Sequence, residues 1–103
     1  MSNKYTVKQT PFSELDLDEI IGHIAYDNID VALILLEKFK LSFERLSSYP
    51  FSGSVPEDAN LRIKGCSKLV VDSYVVIYLP NTNTETISII RIFSAYMDYI
   101  DQL

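Results

Sequence analysis

A chain of 103 residues, 48% hydrophobic and 22% charged, with 3 Gly, 4 Pro and no low-complexity tract, is one globular domain and neither a disordered nor a fibrous protein. Its formal net charge of −5 opposes non-specific nucleic-acid binding, which rests on a basic surface that neutralises phosphates. A single Cys and a single His exclude an internal disulfide and a typical zinc site, so no metal and no cofactor is expected.

Tyr5 to Thr10 alternates in the manner of a short strand, and Pro11, lacking a ladder donor, is expected to end it. Ser13 followed by Asp16 reads as a capping-box-like start, after which Leu17, Ile20, Ile21 and Ile24 recur at helical spacing. Asp16, Asp18 and Glu19 then crowd the first turn, where they favour the helix dipole. Asp27-Asn28 interrupts the pattern, and Asp30 is the expected second N-cap. Ala32, Leu35, Leu36, Phe39, Phe43 and Leu46 trace a second apolar stripe as far as Ser47-Ser48. Two prolines and a glycine make Tyr49 to Pro56 a loop.

The remainder is strand-like. Leu61-Arg62-Ile63-Lys64 alternates apolar and basic residues, Lys68 to Val71 continues extended, and Ser73 to Leu79 is rich in β-branched and aromatic residues. Asn81 to Glu85 is a polar turn, and Thr86 to Phe93 reads as the last strand. The resulting β-α-α-β-β-β order predicts an α+β fold: an N-terminal strand, an α-helical hairpin and an antiparallel three-stranded meander, all in one domain, residues 1–103. Apolar runs such as Val75 to Leu79 are far short of the roughly 20 residues of a membrane span, and no signal-peptide stretch opens the chain. A cytoplasmic location without membrane contact is expected.

Charge divides unevenly along the chain. Residues 1–60 hold ten acidic and five basic residues, whereas residues 61–103 hold four of each. The bases of the second half are Arg62, Lys64, Lys68 and Arg91, so a local anion site can persist on an acidic protein. No phosphate loop, nucleophile elbow, HExxH or paired-Cys motif is present. His23, one helical turn from Glu19 and Asp27, has no catalytic company and reads as a surface residue. Arg62 and Lys64, two apart on a predicted strand, would leave one sheet face and bracket a phosphate. Arg91, between Ile90 and Ile92, must find a carboxylate, carbonyl or phosphate. Asp72 or Asp98 would make it structural. A phosphate would make it a stabiliser of charge developing during RNA cleavage, with a Tyr or Lys moving the proton.

The helix pair followed by Tyr49-Pro50 and Gly53, the Leu61-Arg62-Ile63-Lys64 entry, the run Leu69 to Leu79 and the ending Ile89 to Asp98 together resemble the RelE/ParE superfamily, toxins of bacterial type II toxin–antitoxin systems. The resemblance spans nearly the whole chain. It implies a small toxin neutralised by a cognate antitoxin protein, with one of two targets. RelE-like members cleave mRNA on the ribosome without metal, and ParE-like members poison DNA gyrase. On the RNase reading, Lys64 falls where that branch has a functional strand lysine, and Arg62 at the basic position that opens the strand. Lys64, Arg91 and Tyr96 are then the catalytic candidates, with Arg62 and Lys68 binding substrate. Two departures stand against this. Val75 occupies the position of an expected arginine after Tyr74, and Met97, in Ser94-Ala95-Tyr96-Met97-Asp98, replaces another. Ribosome-dependent mRNA cleavage is the leading expectation; gyrase poisoning, or an attenuated member that only binds its antitoxin, is the alternative.

Overall fold

The computed structural model describes residues 4–95. In chain order the elements are β1 (Thr6–Gln9), α1 (Pro11–Asp27), α2 (Ile29–Ser48), α3 (Ala59–Ile63), β2 (Ser67–Val71), β3 (Tyr74–Asn81) and β4 (Thr86–Ser94).

Pro11 opens α1 rather than merely closing β1. Its missing N–H is one that a first helical turn leaves unpaired in any case, and its fixed φ suits the helix. The N-cap is Thr10, not Ser13: the Thr10 hydroxyl accepts from the Ser13 N–H at 3.2 Å, and Ser13 itself is fully buried inside the first turn. The α1–α2 junction is likewise capped earlier, at Asn28, two residues before Asp30. Asn28 donates its own N–H to Ile24 O at 2.8 Å and accepts the Val31 N–H on Oδ1 at 3.1 Å, so one residue closes α1 and opens α2. Asn28→Ala should therefore cost about 1 kcal/mol. In a domain of this size that lowers Tm by about 4–8 °C, whereas Asn28→Asp, which keeps the acceptor, should melt close to the wild type in the same thermal scan.

The sheet has the order β1-β4-β3-β2. β2, β3 and β4 form the expected antiparallel meander. β1 joins it parallel to β4, Thr6 opposite Thr86 through Gln9 opposite Ile89, so the four-stranded sheet is mixed. The helix hairpin packs on one face, where Leu17, Leu35, Phe39 and Leu46 meet Val76, Tyr78, Ile87, Ile89 and Ile92. A smaller cluster of Leu61, Cys66, Val75, Ile77 and Phe93 lies on the other face. Burial on both sides is why Val75 to Tyr78 is a continuous apolar run rather than an alternating one.

Leu61 to Lys64 is not the start of a strand. Asp58 Oδ2 accepts the Leu61 N–H at 3.2 Å and seeds the one-turn helix α3, with Leu61 as its buried residue. Gly65, at φ +82°, then reverses the chain, and the Cys66 N–H returns to Leu61 O at 3.0 Å. The strand begins only at Ser67, so Arg62 and Lys64 do not share a sheet face as a strand pair would.

One irregularity positions the most unusual side chain of the molecule. Ile77 pairs with Arg91 but Tyr78 pairs with Ile89, leaving Ile90 as a bulge residue in β4. The extra residue reverses the alternation. Ile87 and Ile89 face the helices before it, Ile92 faces them after it, and Arg91 and Phe93 turn to the opposite side. Thr10 holds the bulge in place, its Oγ1 donating toward the carbonyls of Ile89 at 2.9 Å and Ile90 at 3.0 Å. An unbulged β4 would aim a guanidinium into the helix-side core.

Candidate functional site

The face of the sheet turned away from the hairpin carries the candidate residues. Strand register sets them in two rows: Lys68, Ile77 and Arg91 across β2, β3 and β4, and beside them Val70, Val75 and Phe93. Lys68 and Arg91 thus flank a fully buried Ile77 from strands about 10 Å apart.

Arg91 is engaged. Its Nε donates to Asp16 Oδ2 at 2.8 Å and its Nη2 to Asp16 Oδ1 at 3.1 Å, a two-pronged pairing that suits a planar fork. Asp16 Oδ2 also accepts the Ile92 backbone N–H at 2.9 Å, so one carboxylate ties α1 to both a side chain and the backbone of β4. The guanidinium carbon lies 4.8 Å from the Phe93 ring centre and 5.9 Å from that of Phe12. The hydrogen bonds that Arg91 donates to Asp16, and then the charges of Asp16 and Glu19, outweigh partial burial and push Arg91 above the ordinary guanidinium range. The structural partner is therefore Asp16. Asp72, one of the two acids expected to pair with Arg91, bonds Lys38 at 3.0 Å instead, and the other, Asp98, lies outside the described residues. Asp16 was legible as an acid of the first turn, but the stronger signal was its place on the helix face of Ser13, Leu17 and Ile20, where an inward carboxylate requires a partner.

The other candidates are differently placed. Arg62, on α3, donates from Nη1 to the Pro56 carbonyl at 3.2 Å and to that of Glu57, so it braces the approach to its own helix. Lys64 is the exposed C-cap of α3. Lys68 lies half-buried on β2, and its backbone exchanges two 2.9 Å hydrogen bonds with Ser54 along the outer edge of the sheet. Tyr96 and Met97 lie outside the described residues. Tyr74 packs against Phe39, ring centres 5.8 Å apart, and Tyr78 is fully buried with its hydroxyl accepting the Gly53 N–H at 2.9 Å. Both are structural. Val75 is buried against Leu61, Cys66, Ile77 and Phe93, where an arginine would have to displace apolar packing. Burial likewise pushes the Cys66 thiol up, with the Lys64 charge pulling the other way.

A cleft of about 200 Å³ runs between α1 and the paired ends of β3 and β4, lined by Asp16, Glu19, Tyr74, Arg91 and Ser94 among others. His23 lies on a neighbouring hollow with Glu19 and Tyr74. Among the described residues no group of three or more His, Cys, Asp or Glu could hold a metal ion, and no helix is long and apolar enough to cross a membrane. The described arrangement thus offers cations and apolar surface, with its one arginine in the sheet already paired to a carboxylate.

A family model for the ParE toxin of the type II toxin–antitoxin system, parDE, matches residues 7–99. Among solved structures, the chain is similar to the chromosomal ParDE toxin–antitoxin system from P. aeruginosa, with a TM-score of 0.70 and 19% identity over 90% of this chain and 98% of that one. It is also similar to the RelBE2 toxin–antitoxin complex from Mycobacterium tuberculosis, with a TM-score of 0.61 and 20% identity over 91% and 94% of the two chains. No curated protein matches in sequence.

Proposed function

Because the chain belongs to the ParE toxin family of type II toxin–antitoxin systems, we propose that it arrests growth by binding a protein target, DNA gyrase, rather than by cutting mRNA, and that a cognate antitoxin protein holds it inactive. The observation that carries this reading is the Asp16–Arg91 pair. Metal-free cleavage of RNA needs cations free to take up charge developing on the phosphoryl oxygens. Arg91 spends its guanidinium on Asp16, Arg62 spends part of its own on backbone carbonyls, and Val75 is apolar and buried. A protein-binding toxin is untouched by these losses, since it works through surface complementarity. The likeness to a ParDE system favours the same route, and the antitoxin partner accords with both structural neighbours being toxin–antitoxin systems.

The RNase reading keeps Lys64 and Lys68 as its cations, with Tyr96 as proton donor, and one experiment separates the two. The intact chain is expressed without a partner, and growth, mRNA 5′ ends and DNA breaks are followed in the same culture. Growth arrest with DNA breaks and intact mRNA is expected. New 5′ ends inside translated codons, with DNA unbroken, would replace gyrase by the ribosome.

A further inference from the structure

We propose that the surface built by α3 and β2 is where this toxin grips its protein target, and that the segment it grips is acidic and carries apolar side chains. The inference rests on the protein-directed reading above and adds to it the site and the chemistry of the partner.

Charge is segregated in this molecule. Residues 59–71 contain Arg62, Lys64 and Lys68 and no acid, whereas α1 contains five acids and neither Lys nor Arg. The two acids that flank the basic stretch are already committed: Asp58 caps α3 through the Leu61 N–H, and Asp72 pairs with Lys38. Among the described residues of this protein of net charge −5, α3 and β2 therefore present a locally cationic surface.

Apolar side chains stand within it. Ile63 is 83% exposed and Val70 60% exposed. Lys68 and Val70 occupy alternate positions of β2 on the same face, opposite Ile77 and Val75, so cation and anchor point the same way. β2 is an edge strand of the sheet, and Ser54 pairs with it at Lys68. Natural edges are normally blunted by charge, and an exposed valine beside a lysine on such an edge fits a surface made to be covered. Apolar anchors within a polar, charged rim are the anatomy of a protein interface, in which the anchors hold and the charges steer. A single-stranded nucleic acid would call for exposed rings on which bases stack, and residues 59–71, which build this surface, contain no aromatic residue.

The test is growth arrest on induced expression of the full chain, in four forms beside the wild type. Lys64→Glu/Lys68→Glu reverses the rim, and Lys64→Glu alone serves if the double variant fails to accumulate. Ile63→Gln/Val70→Thr removes the anchors with helix- and strand-compatible residues. Lys8→Glu/Lys40→Glu, on β1 and α2, makes the same charge change elsewhere. Soluble yield and thermal melts confirm folding. Survival at least tenfold above wild type is expected for both rim reversal and anchor removal, with the Lys8/Lys40 variant arresting growth as the wild type does. Arrest that persists without the anchors overturns the proposal, and if rim reversal alone abolishes it, the partner is a polyanion. Equal rescue by the Lys8/Lys40 variant would show bulk charge rather than a site, and also overturns it. If the wild type itself fails to arrest growth, the toxin reading falls and takes this inference with it.

Discussion

Asp16→Ala is expected to cost about 3 kcal/mol and to lower Tm by about 12–24 °C in a thermal melt, the low end of what breaking a buried ion pair costs. The low end applies because the pair is not sealed: the Arg91 side chain keeps 25% of its exposure and Asp16 14%. The substitution strips partners from two donors at once, the guanidinium and the Ile92 N–H, at a place where neither gains full hydration in exchange. Asp16→Asn retains an oxygen for the Ile92 N–H and should recover roughly half the loss, since charge-assisted hydrogen bonds are about twice as strong as neutral ones. A loss below about 1 kcal/mol for Asp16→Ala would mean that α1 and β4 are held together by apolar packing alone.

The same pair decides what Arg91 is for. Asp16→Asn/Arg91→Gln replaces two charges by two amides of similar shape, and should be more stable than Asp16→Ala because no unpaired buried charge remains. If Arg91 is a strut, this doubly neutral protein should still arrest growth. If Arg91 acts on phosphate, it should be folded and harmless. Stability and toxicity are thereby read on one variant, which neither Arg91→Ala nor Asp16→Ala allows.

The helix hairpin and the meander were legible because each rests on a repeated local pattern. The stripe from Ala32 to Leu46 has one period over four turns, and the β-branched run from Tyr74 to Leu79 has no plausible place outside a buried strand. α3 was missed because four residues of alternation fit either period, and the deciding groups, the Asp58 carboxylate and Gly65 at positive φ, lie outside those four. The parallel seat of β1 beside β4 joins residues 80 apart in sequence, and no local signal announces it. The bulge at Ile90 is a shift of one residue, invisible in a run of isoleucines, yet it decides which face Arg91 occupies. The sequence required a partner for Arg91 by the cost of an unpaired guanidinium among isoleucines. It could not choose among acids, because the choice is made by the packing of α1 against β4, 75 residues away. Arg62 and Lys64 were legible as a cationic pair, but the turn of α3 and not a strand gives them their setting, whereas Lys68 does lie on a strand, β2.

Gly53→Ala should be nearly as costly, about 2–4 kcal/mol, as the sum of overpacking and a damaged hydrogen bond to a buried phenol. A β-carbon at this position would lie 2.1 Å from the Tyr78 hydroxyl, 2.9 Å from its ring carbon and 2.6 Å from the Lys68 carbonyl oxygen. Tyr78 cannot swing aside, since it is fully buried in the helix-side core; that burial pushes its phenol above the ordinary tyrosine range, with hydrogen bonds from Gly53 and Ser67 pulling the other way. The loop must therefore move instead. Ser54 follows Gly53 directly and holds Lys68 by two backbone hydrogen bonds, so displacing the loop unzips this part of the β2 edge and shifts a lysine of the proposed target surface. Stability and growth arrest should fall together. Adding Tyr78→Phe removes the 2.1 Å clash but leaves the one with the Lys68 carbonyl, so Gly53→Ala/Tyr78→Phe should remain impaired in both assays. Full recovery in the double variant would assign the constraint to the phenol alone. A Gly53→Ala protein that melts with the wild type would show that the loop yields freely and that β2 holds Lys68 without it.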